Sequence, residues 1–124
     1  MSATTFTEYA QIIQALLQEV MSGGSAHIVA LHIDPRSNLR GYIAGSLQFN
    51  NASELHFREF IDVSHTAVRI MYAYHYQDED SNLIFRYDNA AHKPPLPQAD
   101  HKHMPNAVEL VSPPTLQQVL DEIL

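Results

Sequence analysis

The sequence predicts an α+β fold in which an N-terminal and a C-terminal helix pack on a five-stranded antiparallel meander sheet. Helical periodicity occurs at both ends of the chain, and five alternating segments with short connections lie between them. Short connections favour antiparallel neighbours, because parallel neighbours need a crossover of a dozen or more residues. The length of 124 residues is that of one domain, which we expect to span residues 1–124.

Both predicted helices combine an apolar stripe with an N-terminal signal. Residues 5–21 place apolar side chains three and four positions apart, Thr5 and Glu8 fit a capping box, and two glycines follow. Residues 112–124 begin with two prolines that lead into a second apolar stripe. These patterns predict an amphipathic helix at each end of the chain, with one buried face.

Between the helices the apolar pattern alternates with a period of two, which is typical of strands. Residues 90–114 have no periodicity and contain several prolines, so they are predicted to form one long loop. A loop of that length within a small domain is uncommon unless it is functional or mobile. The five predicted strands are 26–34, 40–49, 54–63, 66–77 and 83–89.

The composition excludes several classes of protein. The net charge is −7, with seven Lys and Arg against fourteen Asp and Glu, which disfavours non-specific nucleic-acid binding. There is no cysteine, so disulfides and thiolate metal ligands are excluded. The sequence has no apolar run long enough for a bilayer and no signal-peptide pattern. We therefore expect a cytoplasmic protein without a membrane partner.

Strand alternation gathers polar residues on one side of the fourth and fifth strands. Arg86 and Asp88 share a face of the fifth strand. If the two strands pair around the turn at 78–82, His75 lies beside Arg86, and Arg69 does so if the register permits. The alternative for Arg86 and Asp88 is an ordinary surface ion pair of small energetic value. Together these side chains predict a functional site at one end of the sheet.

The stretch that follows, residues 86–103, is rich in histidine and proline. Its sequence is RYDNAAHKPPLPQADHKH. Prolines stiffen the chain and reduce the entropy lost when such a segment becomes ordered. In an extended segment His101 and His103 point to one side, and Lys102 points to the other. We therefore expect this stretch to be the functional edge of the sheet.

Three kinds of chemistry suit these residues, and the sequence leaves them open. Asp100, His101 and His103, with His92 nearby, could bind a metal ion, but no third ligand is fixed by regular spacing. A histidine and an arginine could instead cleave RNA without a metal, through proton transfer and stabilisation of a pentavalent phosphate. Residues 93–98 could also adopt a polyproline helix that binds a protein. No cofactor is predicted, and His101 and His103 are only weak metal candidates.

Several motifs resemble those of a known family. YHYQDEDSNLIFRYDNAAHKPPLP, followed by HKHMP and then SPPTLQQVLDEI, resembles the TumE family of bacterial toxin–antitoxin proteins. The resemblance covers residues 72–124 in motif detail and the first half only in the order of its elements. The order of the motifs is specific, whereas any one alone would be weak. The resemblance implies a toxin role and, as its partner, a helix-turn-helix antitoxin.

The leading hypothesis from the sequence is a toxin-like protein with metal-independent ribonuclease chemistry on RNA phosphodiesters. His75 or His92 would act as acid or base. Arg86 would clamp the phosphate, and Asp88 would orient one of these groups. The candidate catalytic residues are His75, Arg86, Asp88 and His92, and the candidate substrate-binding residues are Arg69, Lys93, His101, Lys102 and His103.

The alternative hypothesis is a non-catalytic interaction module that binds a DNA-binding antitoxin or another protein. The contact would use the loop at 90–105 or an open edge of the sheet. An acidic chain attracts a basic DNA-binding partner, so this hypothesis accounts for the negative net charge. A homo-oligomer is also compatible with the sequence.

Overall fold

The computed structural model describes residues 3–66, 68–91 and 96–124, and it has the predicted α+β class. Seven strands form one sheet in the order β1 to β7, and every neighbouring pair is antiparallel. The elements are α1 (Phe6–Ser22), β1 (Ala26–Pro35), β2 (Arg40–Phe49), β3 (Glu54–Asp62), β4 (Arg69–Gln77), β5 (Leu83–Asp88), β6 (His101–Met104), β7 (Ala107–Leu110) and α2 (Leu116–Ile123). The meander is confirmed.

The predicted number of five strands is wrong, because the region assigned to a long loop contains a hairpin. β6 pairs with β5, and β7 pairs with β6 at the edge of the sheet. Each of the two strands has only four residues, and all four residues of β7 are exposed. Neither strand therefore carries the alternating apolar pattern on which the prediction depended.

The helices begin and end at the expected local signals. The Glu8 backbone N–H donates to Thr5 Oγ1 over 3.1 Å, and Gly24, just after α1, has a φ of 76°. α2 begins three residues after Pro113, where Thr115 and Gln118 form a reciprocal capping box. The predicted helices are thus confirmed, with α2 shorter than expected.

Both helices lie on the same side of the sheet, which we call the helix face. The Phe6 ring of α1 lies against Gly41 of β2, and Tyr87 of β5 donates to Glu122 Oε1 of α2 over 2.6 Å. Within the described chain, no helix is long and apolar enough to cross a membrane. The core between helices and sheet is built from Phe6, Ala10, Ile13, Leu17, Val20, Ile43, Leu47, Leu55, Phe57, Ile61, Tyr72, Tyr74, Tyr76, Phe85, Tyr87, Leu116, Val119 and Leu120.

A β-bulge near the start of β4 changes the face on which one arginine lies. Phe60 pairs with Met71, whereas the next residue, Ile61, pairs with Arg69, so Ile70 is an extra residue on β4. Ile61 is fully buried on the helix face. Arg69, opposite to it, is therefore directed towards the helices and away from the other side of the sheet, which we call the open face.

Candidate functional site on the open face of the sheet

The register of the sheet aligns polar side chains in rows across the open face. Directly paired residues of antiparallel strands hold their side chains side by side. The imidazole row consists of Ser46, His56, His75, Arg86 and His103, which are paired in that order from β2 to β6. The adjacent carboxylate row consists of Ala44, Arg58, Ala73, Asp88 and His101.

A groove of about 440 Å³ lies over the middle of these rows. Its floor includes the small residues Ala44 and Ala73, which leave space between the longer side chains at its borders. The volume falls in the range of sites that bind small ligands. Its polar lining is formed by His32, Tyr42, Ser46, His56, Arg58, His75 and Arg86.

His75 and Arg86 are directly paired, which is the register that the prediction assumed. Arg86 Nη1 lies 3.4 Å from His75 Nδ1, and His75 Nε2 lies 3.1 Å from Gln77 Oε1. A guanidinium can only donate, so Nδ1 accepts from Arg86 and Nε2–H donates to Gln77. Burial, and next the charge of Arg86, lower the pKa of His75 below its usual 6.5. The ring is therefore a neutral base at pH 7.

Asp88 is the centre of a second group of contacts. Arg86 Nε donates to Asp88 Oδ2 over 2.8 Å, and the Ala90 backbone N–H donates to Oδ1 over 3.1 Å. His101 Nε2 lies 2.9 Å from Oδ1, and His103 Nε2 lies 3.8 Å from Oδ2. Asp88 is buried, so its contacts are protected from water. The carboxylate thereby holds the Arg86 side chain in place beside His75.

The structure does not bring every predicted site residue to the open face. Arg69 lies on the helix face, where Nη1 donates to Tyr74 Oη over 2.9 Å and to the Pro114 carbonyl. Its expected position beside Arg86 is wrong, because the bulge in β4 reverses the alternation at this point.

The remaining candidates divide into three groups. Lys102 is on the helix face, where Nζ lies 2.8 Å from Glu122 Oε2. His101 and His103 share the open face, with ring centroids 4.6 Å apart, which confirms the predicted alternation. His92 and Lys93 lie outside the described residues.

Two residues outside the predicted catalytic and substrate-binding sets belong to the site. His56 and Arg58 on β3 line the groove, and the ring of His56 has its centroid 6.5 Å from that of His75. His56 Nε2 also lies 3.1 Å from Glu54 Oε2. The alternation of β3 contains these residues, but only the pairing of β3 with β4 shows which other side chains they meet.

One set of described residues has the geometry to hold a metal ion. Asp88, His101 and His103 each offer a ligand atom, and these atoms all lie within 4.8 Å of one another. Asp100, which the sequence suggested as a ligand, instead accepts a hydrogen bond from Tyr72 Oη over 2.7 Å. The carboxylate near the two histidines is therefore that of Asp88.

Comparison with known proteins identifies one family. No curated protein and no solved structure gives a significant match to the chain. The family described as Toxin TumE matches residues 25–124, which include all seven strands and α2. The match thus covers most of the chain, including both rows of polar residues on the open face. The chain belongs to the Toxin TumE family.

Proposed function

We propose that this toxin cleaves RNA in the bacterial cytoplasm by metal-independent transesterification in the groove of the open face. The observation that carries the proposal is the pairing of His75 with Arg86 beside a second imidazole, that of His56. A neutral imidazole and a guanidinium at the same position suit a reaction that needs a base and a stabilised phosphate. Membership of a toxin family supports a toxic role.

In the proposed reaction, the phosphate draws Arg86 Nη1 away from His75 Nδ1, with which it is in contact in the free protein, and Nδ1 then accepts the proton of a ribose 2′-hydroxyl. The 2′-oxygen forms a bond to the adjacent phosphorus, and the bond from phosphorus to the 5′-oxygen breaks. His56 gives a proton to the leaving 5′-oxygen, so the products are a 2′,3′-cyclic phosphate and a 5′-hydroxyl. Arg86 donates hydrogen bonds to the charged phosphoryl oxygens. Asp88 positions Arg86 through the contact at Nε.

An RNA cleavage assay tests this proposal. We expect the purified protein to cut RNA in the presence of a chelator and to leave 2′,3′-cyclic phosphate ends. His75→Gln should slow cleavage by about 10² to 10⁴-fold, the usual contribution of a general base. His27→Gln is the matched control, because His27 is an exposed histidine outside the lining of the groove. Equal cleavage by wild type and His75→Gln would remove His75 from the mechanism.

A growth assay tests the same residues in the cell. We expect expression of the wild-type chain without its antitoxin to slow growth, and His75→Gln or Arg86→Ala to relieve that effect. Protein levels measured in the same cultures show whether a variant is merely degraded. If both variants are present at wild-type levels and are equally toxic, the toxicity does not depend on this site.

The antitoxin partner that the family implies is proposed to be a basic helix-turn-helix protein. The net charge of −7 favours association with such a partner. The exposed edge strand β7 supports the alternative of a non-catalytic interaction module, since a free strand edge can accept another chain. Absence of any RNA cleavage, together with tight co-purification of the antitoxin, would favour that alternative.

A further inference from the structure

We propose that Asp88, His101 and His103 form a binding site for a divalent transition-metal ion of the zinc class, which fastens the β6–β7 hairpin to β5. This inference goes beyond the cleavage reaction, since the proposed chemistry uses His75, Arg86 and His56 and does not need the metal. The site has two imidazole ligands and one carboxylate, all of them on the open face.

The backbone register directs the three ligands to one point. Asp88 on β5 is directly paired with His101 on β6, and His103 follows two residues later on the same side. Asp88 Oδ1 lies 2.9 Å from His101 Nε2, and Asp88 Oδ2 lies 3.8 Å from His103 Nε2. Ligands about 2.1 Å from a zinc ion are roughly 3.0 to 3.4 Å apart at angles of about 90° to 109°. All three ligand atoms lie within 4.8 Å of one another, so side-chain rotations that shorten the longer separations would bring them within reach of one ion.

The orientation of His101 supports a cation at this point. Its Nδ1 lies 2.6 Å from the Ala99 carbonyl, to which it donates, so a neutral ring directs the lone pair of Nε2 at the Asp88 carboxylate. Two acceptors 2.9 Å apart repel unless a positive charge lies between them. A second proton on the ring or a metal ion can supply that charge. Donation of the other ring nitrogen to a backbone carbonyl is the usual arrangement of metal-binding histidines.

The surroundings of the carboxylate also fit a ligand role. Asp88 accepts from Arg86 Nε and from the Ala90 backbone N–H, so both of its oxygens are fixed. Metal-binding carboxylates are commonly held by hydrogen bonds of this kind. The positive charge of Arg86 opposes a nearby metal ion, and the Asp88 carboxylate between them reduces this repulsion.

The ligand types decide the class of metal. Imidazole nitrogens suit zinc, copper, nickel and iron, whereas magnesium and calcium prefer sites made of oxygen atoms. A bound zinc ion would connect β5 to a hairpin that is joined to it by only three residue pairs. The expected effect of the metal is therefore local stabilisation of β6 and β7.

Zinc titration of the full-length protein tests the inference. After treatment with a chelator and its removal, calorimetry with zinc chloride should give one ion per chain and an increase in Tm. Hydrogen exchange of the β6 amides should slow in the presence of zinc. His103→Ala should weaken zinc binding by more than about tenfold, and Asp88→Asn, which keeps the side-chain volume, should do the same. Magnesium chloride should produce no comparable change.

His56→Ala is the matched control, because it removes a histidine from the same row without removing a ligand. We expect its zinc affinity to be that of the wild type. Equal zinc binding by wild type, His103→Ala and His56→Ala would show adventitious binding to surface histidines and overturn the proposal. Absence of zinc binding would overturn the proposal as well. Circular dichroism of each variant checks whether the fold is retained. We expect RNA cleavage in the presence of a chelator whether or not the protein binds zinc.

Discussion

At the residue scale, the neighbours of His75 determine the pH range in which it can act as a base. Burial, and next the Arg86 charge, lower its pKa below 6.5, so the neutral ring persists to a more acidic pH than a free histidine would allow. On the acidic side of the pH–rate profile, we expect RNA cleavage to fall as the pH decreases through this lowered pKa, so the acidic limb should lie below pH 6.5. An NMR titration of His75 checks the assignment, and Arg86→Gln should raise the measured pKa. An acidic limb that lies above pH 6.5 would contradict the proposed base.

Arg69 is a structural residue by its contacts, and its substitution should affect stability before chemistry. Arg69→Met removes the donor to Tyr74 and to the Pro114 carbonyl, at a cost of about 1–3 kcal/mol. Urea unfolding measures this cost. Arg36→Met is the control, because Arg36 forms an exposed pair with Asp34 and should change stability by less than about 0.5 kcal/mol. If Arg69→Met is as stable as wild type but cleaves RNA poorly, the structural assignment is wrong.

Part of the site could be predicted from the sequence at this scale. Alternation alone placed Arg86 with Asp88 and His101 with His103, because neighbours two apart share a face of any regular strand. Arg69 was misplaced, since a bulge leaves no signature in residue types. His56 was missed because its relation to His75 exists only through the pairing of β3 with β4. Local periodicity thus predicts faces, while contacts between strands depend on the register.

At the scale of elements, the packing of α1 on β2 depends on a glycine. A Cβ atom at position 41 would lie 2.3 Å from the Phe6 ring, far inside van der Waals contact. We expect Gly41→Ala to destabilise the protein by about 1–3 kcal/mol through overpacking, measured as a decrease in the urea midpoint. Gly23→Ala is the control, because its Cβ would have no neighbour closer than 3.5 Å. Equal midpoints for the two variants would show that α1 does not pack tightly here.

The elements differ in how well the sequence predicts them, and the reason is the length over which a pattern repeats. α1 and the first five strands show several periods of an apolar repeat, and their positions were predicted closely. β6 and β7 have four residues each, and β6 carries histidines and a lysine on its two faces. Strand β6 has long-range contacts, of Lys102 with Glu122 on α2 and of His101 with Asp88 on β5. Such contacts cannot be read from a local pattern.

At the scale of the whole molecule, the acidic charge limits how RNA can bind. The net charge is −7, and among the described residues that line the groove only Arg58 and Arg86 are Lys or Arg. Two phosphate contacts with single-stranded RNA give a slope of log K against log salt of about −1.4. The slope is measured from the affinity for an uncleavable RNA at several salt concentrations.

Substitution of one groove arginine tests the same prediction. We expect Arg58→Gln to reduce the slope to about −0.7, because one phosphate contact is lost. Arg36→Gln, which changes an arginine outside the groove lining, should leave the slope unchanged. A slope steeper than about −4 would mean that RNA contacts a wider basic surface than the groove provides.

The strictly sequential order of the sheet also governs when its parts can form. Each strand pairs with the one made just before it, so every hairpin can close while later residues are still being synthesised. The pairing of β6 with β5 is delayed in comparison with the other pairs, because residues 89 to 100 must be synthesised between the two strands. His101 and His103 therefore join Asp88 only after strands β1 to β5 can already have folded. In a nascent chain, the groove of the toxin can therefore form before β6 brings His101 and His103 to Asp88.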